Sequence, residues 1–492
     1  MAAILAIDAG TTSIRTLAVN EAGEVVGSAS RQLGQHFPHP GWVEHDPEEI
    51  WEAVAATLAT VAAALDQPVA AIGVTNQRET AVVWDRRTGR PRHRAIVWQD
   101  RRTADRCEQL AASGHLDLVR YQTGLVLDPY FSGTKLAWLL DEGGVEAGPD
   151  LAFGTVDSWI VWRLTAGQVH ATDPSNASRT MLYDIRQLAW SDELADLLHV
   201  PTSCLPEVRS SSGRLGLTAA DADAGLPAGI PISGLAGDQQ AALFGQACFQ
   251  PGMTKNTYGT GSFVLMNVGD ACPEPVPGLL TSVAWMLDQP EPGRAPAVNY
   301  ALEGAIFVTG AAVQWLRDGL GIIAEAAEIG PLAASIDDNE GVYLVPAFAG
   351  LGSPWWDPHA RGTIVGLTRG SGRAHLARAV VEAMAYQTRD VVTAMSAASG
   401  TEVTLLRVDG GASVMDLLLQ LQADQLQIPV ARSAIAETTA LGVAYLAGLA
   451  EGVWGSLDEI ASLWRADAEV QPARRAEGHY DQWRRAVERA RG

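Results

Sequence analysis

The stretch Leu235-Ala-Gly-Asp-Gln-Gln-Ala-Ala-Leu-Phe-Gly-Gln-Ala247 carries an acid, Asp238, between a small apolar run and a helical pattern. A carboxylate at a strand-to-helix junction, with a glycine beside it, can face a pocket and take a proton from a bound hydroxyl. The same residue could instead serve as a helix cap. Asp8-Ala-Gly-Thr-Thr-Ser13 sets another acid at a strand end, ahead of a glycine and three hydroxyl side chains. Glycine lets a backbone approach phosphate oxygens, N–H and hydroxyl groups donate to them, and a neighbouring acid can hold Mg²⁺ directly or through water. The pattern lacks the Gly-Lys-Ser/Thr of a P-loop, and a Thr-rich hairpin would read the same way. Gly259-Thr-Gly-Ser262 is a second turn of this kind. Two such turns, one per half of the chain, could grip a triphosphate from both sides.

Polar clusters follow several apolar runs. Asn76-Gln-Arg-Glu-Thr80 offers a donor, Arg78, and an acceptor, Glu79; Trp98-Gln-Asp-Arg101 and Asp128-Pro-Tyr-Phe-Ser-Gly-Thr-Lys135 follow. Trp98 and Tyr130 could cover the C–H faces of a small polyol while the acids take its hydroxyls, or they could be core aromatics. Arg407-Val-Asp-Gly-Gly-Ala412 reads as strand, Gly-Gly turn and helix entry. A nucleoside can lie against such a turn because no side chain intervenes, although a positive-φ helix entry would need the same glycines.

The elements that must position these groups alternate strand and turn at the start: Ile4–Ile7, Ile14–Val19, then a strand around Glu24–Ser28. Asp46-Pro-Glu-Glu49 announces a helix with Asp as N-cap, Pro at its first position and an apolar stripe of Ile50, Val54, Leu58 and Val61. Ala71–Thr75 follows as a strand. Strand, Gly/Thr turn, strand recurs at Met253–Val268, a weak internal repeat consistent with a duplicated architecture. Residues 270–298 are Pro-rich and read as a surface excursion. A helix is expected near His375–Ala398, ended by Gly400, and the last forty residues read as charged and helical.

Four cysteines without C-x-x-C spacing argue against disulfides and structural zinc and fit a cytoplasmic protein. With 492 residues the chain exceeds one core, and a charged content of 19% describes a globular protein. A net charge of −22 speaks against nucleic-acid or anionic-membrane partners. The apolar N-terminal run stops at Asp8 and reads as a buried strand, not a signal peptide, and no run approaches a membrane span. Lysine occurs only at 135 and 255 among 35 basic Lys and Arg side chains, both inside stretches named above.

These stretches, with Gly41–Pro47, Asn176–Met181, Gln314–Arg317 and Val408–Ala412, resemble the FGGY carbohydrate kinases from the first strand to about residue 450. Asn76–Thr80 and Gly237–Gln246 resemble the members that phosphorylate glycerol more than the pentulose or hexulose kinases. The resemblance implies an α/β fold of two duplicated ribonuclease H-like, actin-like ATPase domains flanking a central cleft, divided as residues 1–246 and 247–492. It implies ATP and Mg²⁺ as cofactors, glycerol as substrate and a homo-oligomer, dimer or tetramer. Asp238 would be the general base. Arg78, Glu79, Tyr130, Asp238 and Gln239 would hold the substrate, with Trp98 and Phe263 as apolar wall. Thr11, Thr12, Ser13, Arg15, Thr260, Gly310, Gln314, Gly411 and Met415 would meet the nucleotide, and Asp8 the metal.

Two positions depart from the family. Ala9 stands where Gln is usual, and Met415 where an Asn contacts the nucleotide, which implies altered nucleotide binding at Met415. Ala219–Gly229 has neither Arg nor His, so regulation of that loop by fructose bisphosphate or His phosphorylation is not expected. Alternatives are a kinase for another polyol or ketose, a non-catalytic sugar sensor, and an actin- or chaperone-like ATPase.

Overall fold

In the computed structural model, which describes residues 2–289, 295–475 and 477–491, thirteen strands join into one mixed sheet. They are β1 (Ala3–Ala9), β2 (Ser13–Val19), β3 (Val25–Gln32), β4 (Val69–Asn76), β5 (Ser212–Leu217), β6 (Pro231–Gly237), β7 (Thr254–Tyr258), β8 (Ser262–Gly269), β9 (Leu280–Leu287), β10 (Ala297–Ile306), β11 (Leu406–Asp409), β12 (Val430–Ser433) and β13 (Ala466–Val470). The spatial order is β13-β12-β11-β7-β8-β10-β9-β5-β6-β4-β1-β2-β3.

The duplication is explicit in this order. β1, β2 and β3 run antiparallel, β4 lies parallel to β1, and β6 parallel to β4. β7, β8 and β10 repeat the antiparallel meander, with β11 parallel to β7 and β12 parallel to β11. The turns at residues 10 and 260 therefore occupy the same place in each copy. The copies meet where β5 and β9 touch, through the single pair Ser212↔Leu287.

Burial on both faces explains the unbroken apolar run in β1. Leu5 and Ile7 pack with Ile50, Trp51 and Val54 of α1 (Pro47–Ala63) on one side. Ile4 and Ala6 pack on the other with Val443, Ala444 and Leu446 of a late helix, Thr438–Ala450. A central strand covered on both faces has no polar face to alternate with. The Asp46 side chain accepts from the Glu48 N–H, as the Asp-Pro-Glu-Glu signal requires, and Ile50, Val54, Leu58 and Val61 are buried. Three more helices matter below: α2 (Ser132–Asp141), α3 (Asp238–Gly245) and α4 (Arg373–Ser399), the last ended by Gly400 at φ 65°.

Thr438–Ala450, here α5, belongs to the second copy by sequence but packs on β6, β4 and β1 of the first and crosses α3. The crossing is a backbone contact. A Cβ on Gly442 would lie 1.8 Å from the Ala241 carbonyl oxygen, and one on Gly245 2.0 Å from that of Thr438. Gly73 of β4 meets the Val443 carbonyl in the same way, at 2.2 Å.

Two expectations are corrected. Residues 270–298 are not wholly an excursion: β9 is a buried central strand, and β10 begins at Ala297. Its run Leu280–Leu287 is apolar enough for burial on both faces, a signal hidden between flanking prolines; positions 290–294 lie outside the described residues. The last forty residues are not all helical, because Ala-Asp-Ala-Glu-Val470 alternates with period two and forms the edge strand β13. No helix among the described residues is long and apolar enough to cross a membrane.

Because the α3–α5 contact leaves no room for a methyl group, Gly442→Ala should destabilise the protein by on the order of 2–3 kcal/mol despite the better helix propensity of alanine. A denaturant titration measures this, and an unchanged midpoint would contradict the packing described.

Candidate active site

β6 ends at Gly237 and α3 starts at Asp238, with Gly237 and not Asp238 as the N-cap residue. The Asp238 Oδ1 accepts from the Gln239 backbone N–H at 2.7 Å and lies 3.1 Å from Arg78 Nε. Gly237 permits this approach, since a Cβ there would meet the Arg78 side chain at 2.7 Å.

Arg78 and Glu79 follow β4, in a segment buried throughout. The two Arg78 Nη groups donate to Glu303 at 2.6 and 3.0 Å, and Nη1 also reaches Gln240 Oε1 at 3.1 Å. Arg179 donates through Nε to Glu79 at 2.7 Å, and through its Nη groups to Ser282 at 3.0 Å and Glu303 at 3.2 Å. Burial by itself would raise the Glu303 carboxyl, but Arg179 and Arg78 outweigh it and hold the pKa at about 2. Glu79 adopts φ 61°, uncommon for a residue with a side chain, and its carbonyl accepts from Ser132 Oγ at 3.0 Å. Exposure separates Asp238 from its neighbours: its side chain is 34% exposed, against 2% for Arg78, 1% for Glu79 and none for Glu303. It is the member of the network that a ligand can reach.

Trp98 and Tyr130 pair beside the first turn and the ionic cluster. Trp98 donates through Nε1 to Thr11 Oγ1 at 2.9 Å, and its ring meets Tyr130 edge-on at 5.6 Å. Tyr130 lies beside the Arg179 guanidinium, 5.6 Å from ring centre to Cζ. Lys135 of α2 donates to the carbonyls of Pro129, Tyr130 and Phe131, which fixes the turn carrying the tyrosine. Phe263, opposite Thr257 and Ala305 in the register, shares a sheet face with Lys255 and Glu303.

A cavity of about 750 Å³ opens in the second copy. Thr260, Gly310, Gln314, Gly411 and Met415 all line it, along with the apolar Val313, Ile329, Pro331 and Leu417. The Gly410 φ of 85° turns the chain from β11 toward Gly411, and the Gly310 N–H donates to the Gly259 carbonyl at 3.0 Å. Thr11, Thr12, Ser13 and Arg15 do not line this cavity; they belong to the β1–β2 turn and the start of β2 in the first copy. Arg15 pairs with Glu437, the residue before α5, so the start of β2 is tied to the second half of the sequence. Asp8, at the end of the same strand, has its pKa pushed up to about 7, first by burial and then by the charge of Asp238. A buried acid whose proton affinity is raised by a neighbouring carboxylate, beside an oxygen-rich turn, suits a hard cation such as Mg²⁺, which is usually held by one or two carboxylates plus substrate phosphates. Among the described residues no group of three or more His, Cys, Asp or Glu is gathered for a metal.

Glu303, Arg179 and Gln240 were not singled out from the sequence. The available signal was a lone acid in the apolar strand Tyr300-Ala-Leu-Glu-Gly-Ala-Ile306, since a charge buried in a strand needs a partner.

Two duplicated α/β halves with matching Gly/Thr turns, a polar cluster between them and an apolar cavity in the second define a nucleotide-dependent kinase fold. Residues 3–245 match the N-terminal domain of the FGGY family of carbohydrate kinases, and residues 254–451 match the C-terminal domain. The chain belongs to this family and is an enzyme, a carbohydrate kinase. It is 54% identical over 500 residues to a glycerol kinase of Bordetella parapertussis, covering 99% of this chain and 97% of that one. It is likewise 54% identical over 499 residues to glycerol kinase 2 of Thermotoga maritima, covering 99% of each. The structure superposes on Plasmodium falciparum glycerol kinase with ADP at a TM-score of 0.93 and 33% identity, over 100% of this chain and 98% of that one.

Removing Glu303 would leave Arg78 and Arg179 without their shared carboxylate. Glu303→Ala should therefore cost about 3–5 kcal/mol of stability, the usual penalty for one partner of a buried ion pair. Thermal or chemical unfolding checks it; a loss below about 1 kcal/mol would mean the network is far wetter than described.

Proposed function

We propose that the chain transfers the γ-phosphoryl group of ATP to a terminal hydroxyl of glycerol, giving sn-glycerol 3-phosphate and ADP. The observation that carries this reading is the solvent-reachable Asp238 carboxylate at the edge of an otherwise buried ionic cluster, on α3 between the two halves. The glycerol kinase relatives, matched along nearly their whole length, support the choice of glycerol.

In this reading Tyr130, Asp238 and Gln239 meet the triol, Trp98 and Phe263 cover its carbon face, and Arg78 and Glu79, expected from the sequence to touch it, are buried beneath the site and hold its polar floor in place. The hydroxyl oxygen attacks the γ-phosphorus while Asp238 accepts its proton, and the bond to the ADP oxygen breaks. Phosphoryl transfer passes through a loose transition state, so alignment and charge stabilisation supply most of the rate, and the base is needed late. The Arg78 guanidinium, held on its far side by Glu303, keeps the Asp238 carboxylate in place. Thr11, Thr12, Ser13 and Arg15 face the nucleotide from one half. Thr260, Gly310, Gln314, Gly411 and Met415 hold it from the other. Asp8 would hold Mg²⁺, which when bound neutralises charge on the β- and γ-phosphates. Residues 1–246 and 247–492 form the two lobes, and their closure excludes water that would otherwise accept the phosphoryl group.

Asp238→Asn should lower glycerol-dependent ADP release by roughly 10²–10⁴-fold, the range for loss of a general base. Calorimetric glycerol binding should change far less. Wild-type turnover in this variant would refute the role. In a coupled assay over polyols and ketoses glycerol should be the best substrate, and a pentulose outperforming it would assign a sister activity.

A further inference from the structure

Lysine appears twice in this chain, and both side chains are fully buried; arginine supplies every other basic side chain, including buried Arg78 and Arg179. An ammonium is compact and tetrahedral, donates only, and points its hydrogens in three directions, whereas a guanidinium is a planar fork. Lys135 uses this geometry on three converging carbonyls at the start of α2. Lys255, on β7 of the second copy, donates to Thr257 Oγ1 at 2.9 Å and to the carboxamide oxygen of Gln239. Gln239 follows Asp238 on α3, in the first copy.

An amide is ambiguous as a recognition group, because a flip exchanges its donor and acceptor ends. Lys255 removes that ambiguity, having no acceptor to offer. Burial draws its pKa down to about 8, still above neutrality, so at pH 7 it remains an ammonium. With Oε1 engaged, Gln239 has Nε2 left over, and among the described residues that nitrogen has no acceptor. Gln239 is only part-buried, next to the reachable Asp238 carboxylate.

We propose that Lys255 is a positioning residue that fixes the polarity of Gln239, turning its Nε2 donor to a substrate hydroxyl while Asp238 receives the proton. Substrate then meets one carboxylate acceptor and one amide donor side by side, a pair that selects a molecule with adjacent hydroxyls. This rests on the assignment of Gln239 and Asp238 to the substrate site.

Steady-state kinetics with glycerol and ATP test it. Gln239→Glu keeps an acceptor for Lys255 but has no donor, and should raise KM for glycerol roughly ten-fold, about one hydrogen bond, with KM for ATP little changed. Lys255→Met should raise the glycerol KM through loss of amide orientation, and Lys255→Met combined with Gln239→Ala should be no worse than Gln239→Ala alone. A wild-type glycerol KM in Gln239→Glu overturns the proposal without requiring the lysine variant to fold. Multiplying effects of Lys255→Met and Gln239→Ala also overturn it. If Gln239→Ala leaves the glycerol KM unchanged, the assignment of Gln239 to the substrate site falls too, whereas that assignment survives either of the other failures.

Discussion

Charge buried between the two halves is the constraint on which the site depends. Arg78, Arg179, Glu79 and Glu303 are nearly or wholly removed from water, and such groups are tolerated only when fully paired. Arg78, Glu79 and Arg179 come from the first copy and Glu303 from the second, so the two arginines share the Glu303 carboxylate only when the copies are assembled. The ionic cluster is therefore also a registration device. It fixes Arg78 from behind, and Arg78 in turn fixes Asp238, the one carboxylate of the set that remains accessible. The geometry of the reachable acid is thus a consequence of the unreachable ones.

Much of this was legible in the sequence, for local reasons. The Asp-Pro-Glu-Glu cap, the apolar run of β1 and the two Gly/Thr turns each report a backbone conformation through neighbouring residues. The duplication was visible because those turns recur in the same strand context. Asp238 was legible as an acid at a junction. Whether it caps the helix was not, because the cap position depends on whether the helix begins at 237 or 238.

What stayed hidden depends on long separations. Glu303 lies 225 residues from Arg78, and nothing in its own strand names that partner. β9 was masked by prolines that flank it without entering it, and β13 by a composition resembling that of the adjacent helices. The lysines were conspicuous by their rarity, but their acceptors became evident only through the fold. Burial and pairing across the chain decided these cases, where propensity had no vote.

The crossing of α3 and α5 carries a mechanical consequence. Where helices meet through side chains, interdigitated layers can slip past one another by small rotamer changes; where main chains touch at Gly245 and Gly442, there is no such layer to yield. Shear along that contact is therefore blocked. Because α5 comes from the second half of the sequence and packs on β6, β4 and β1 of the first, this contact clamps one repeat onto the other within about two helical turns of Asp238.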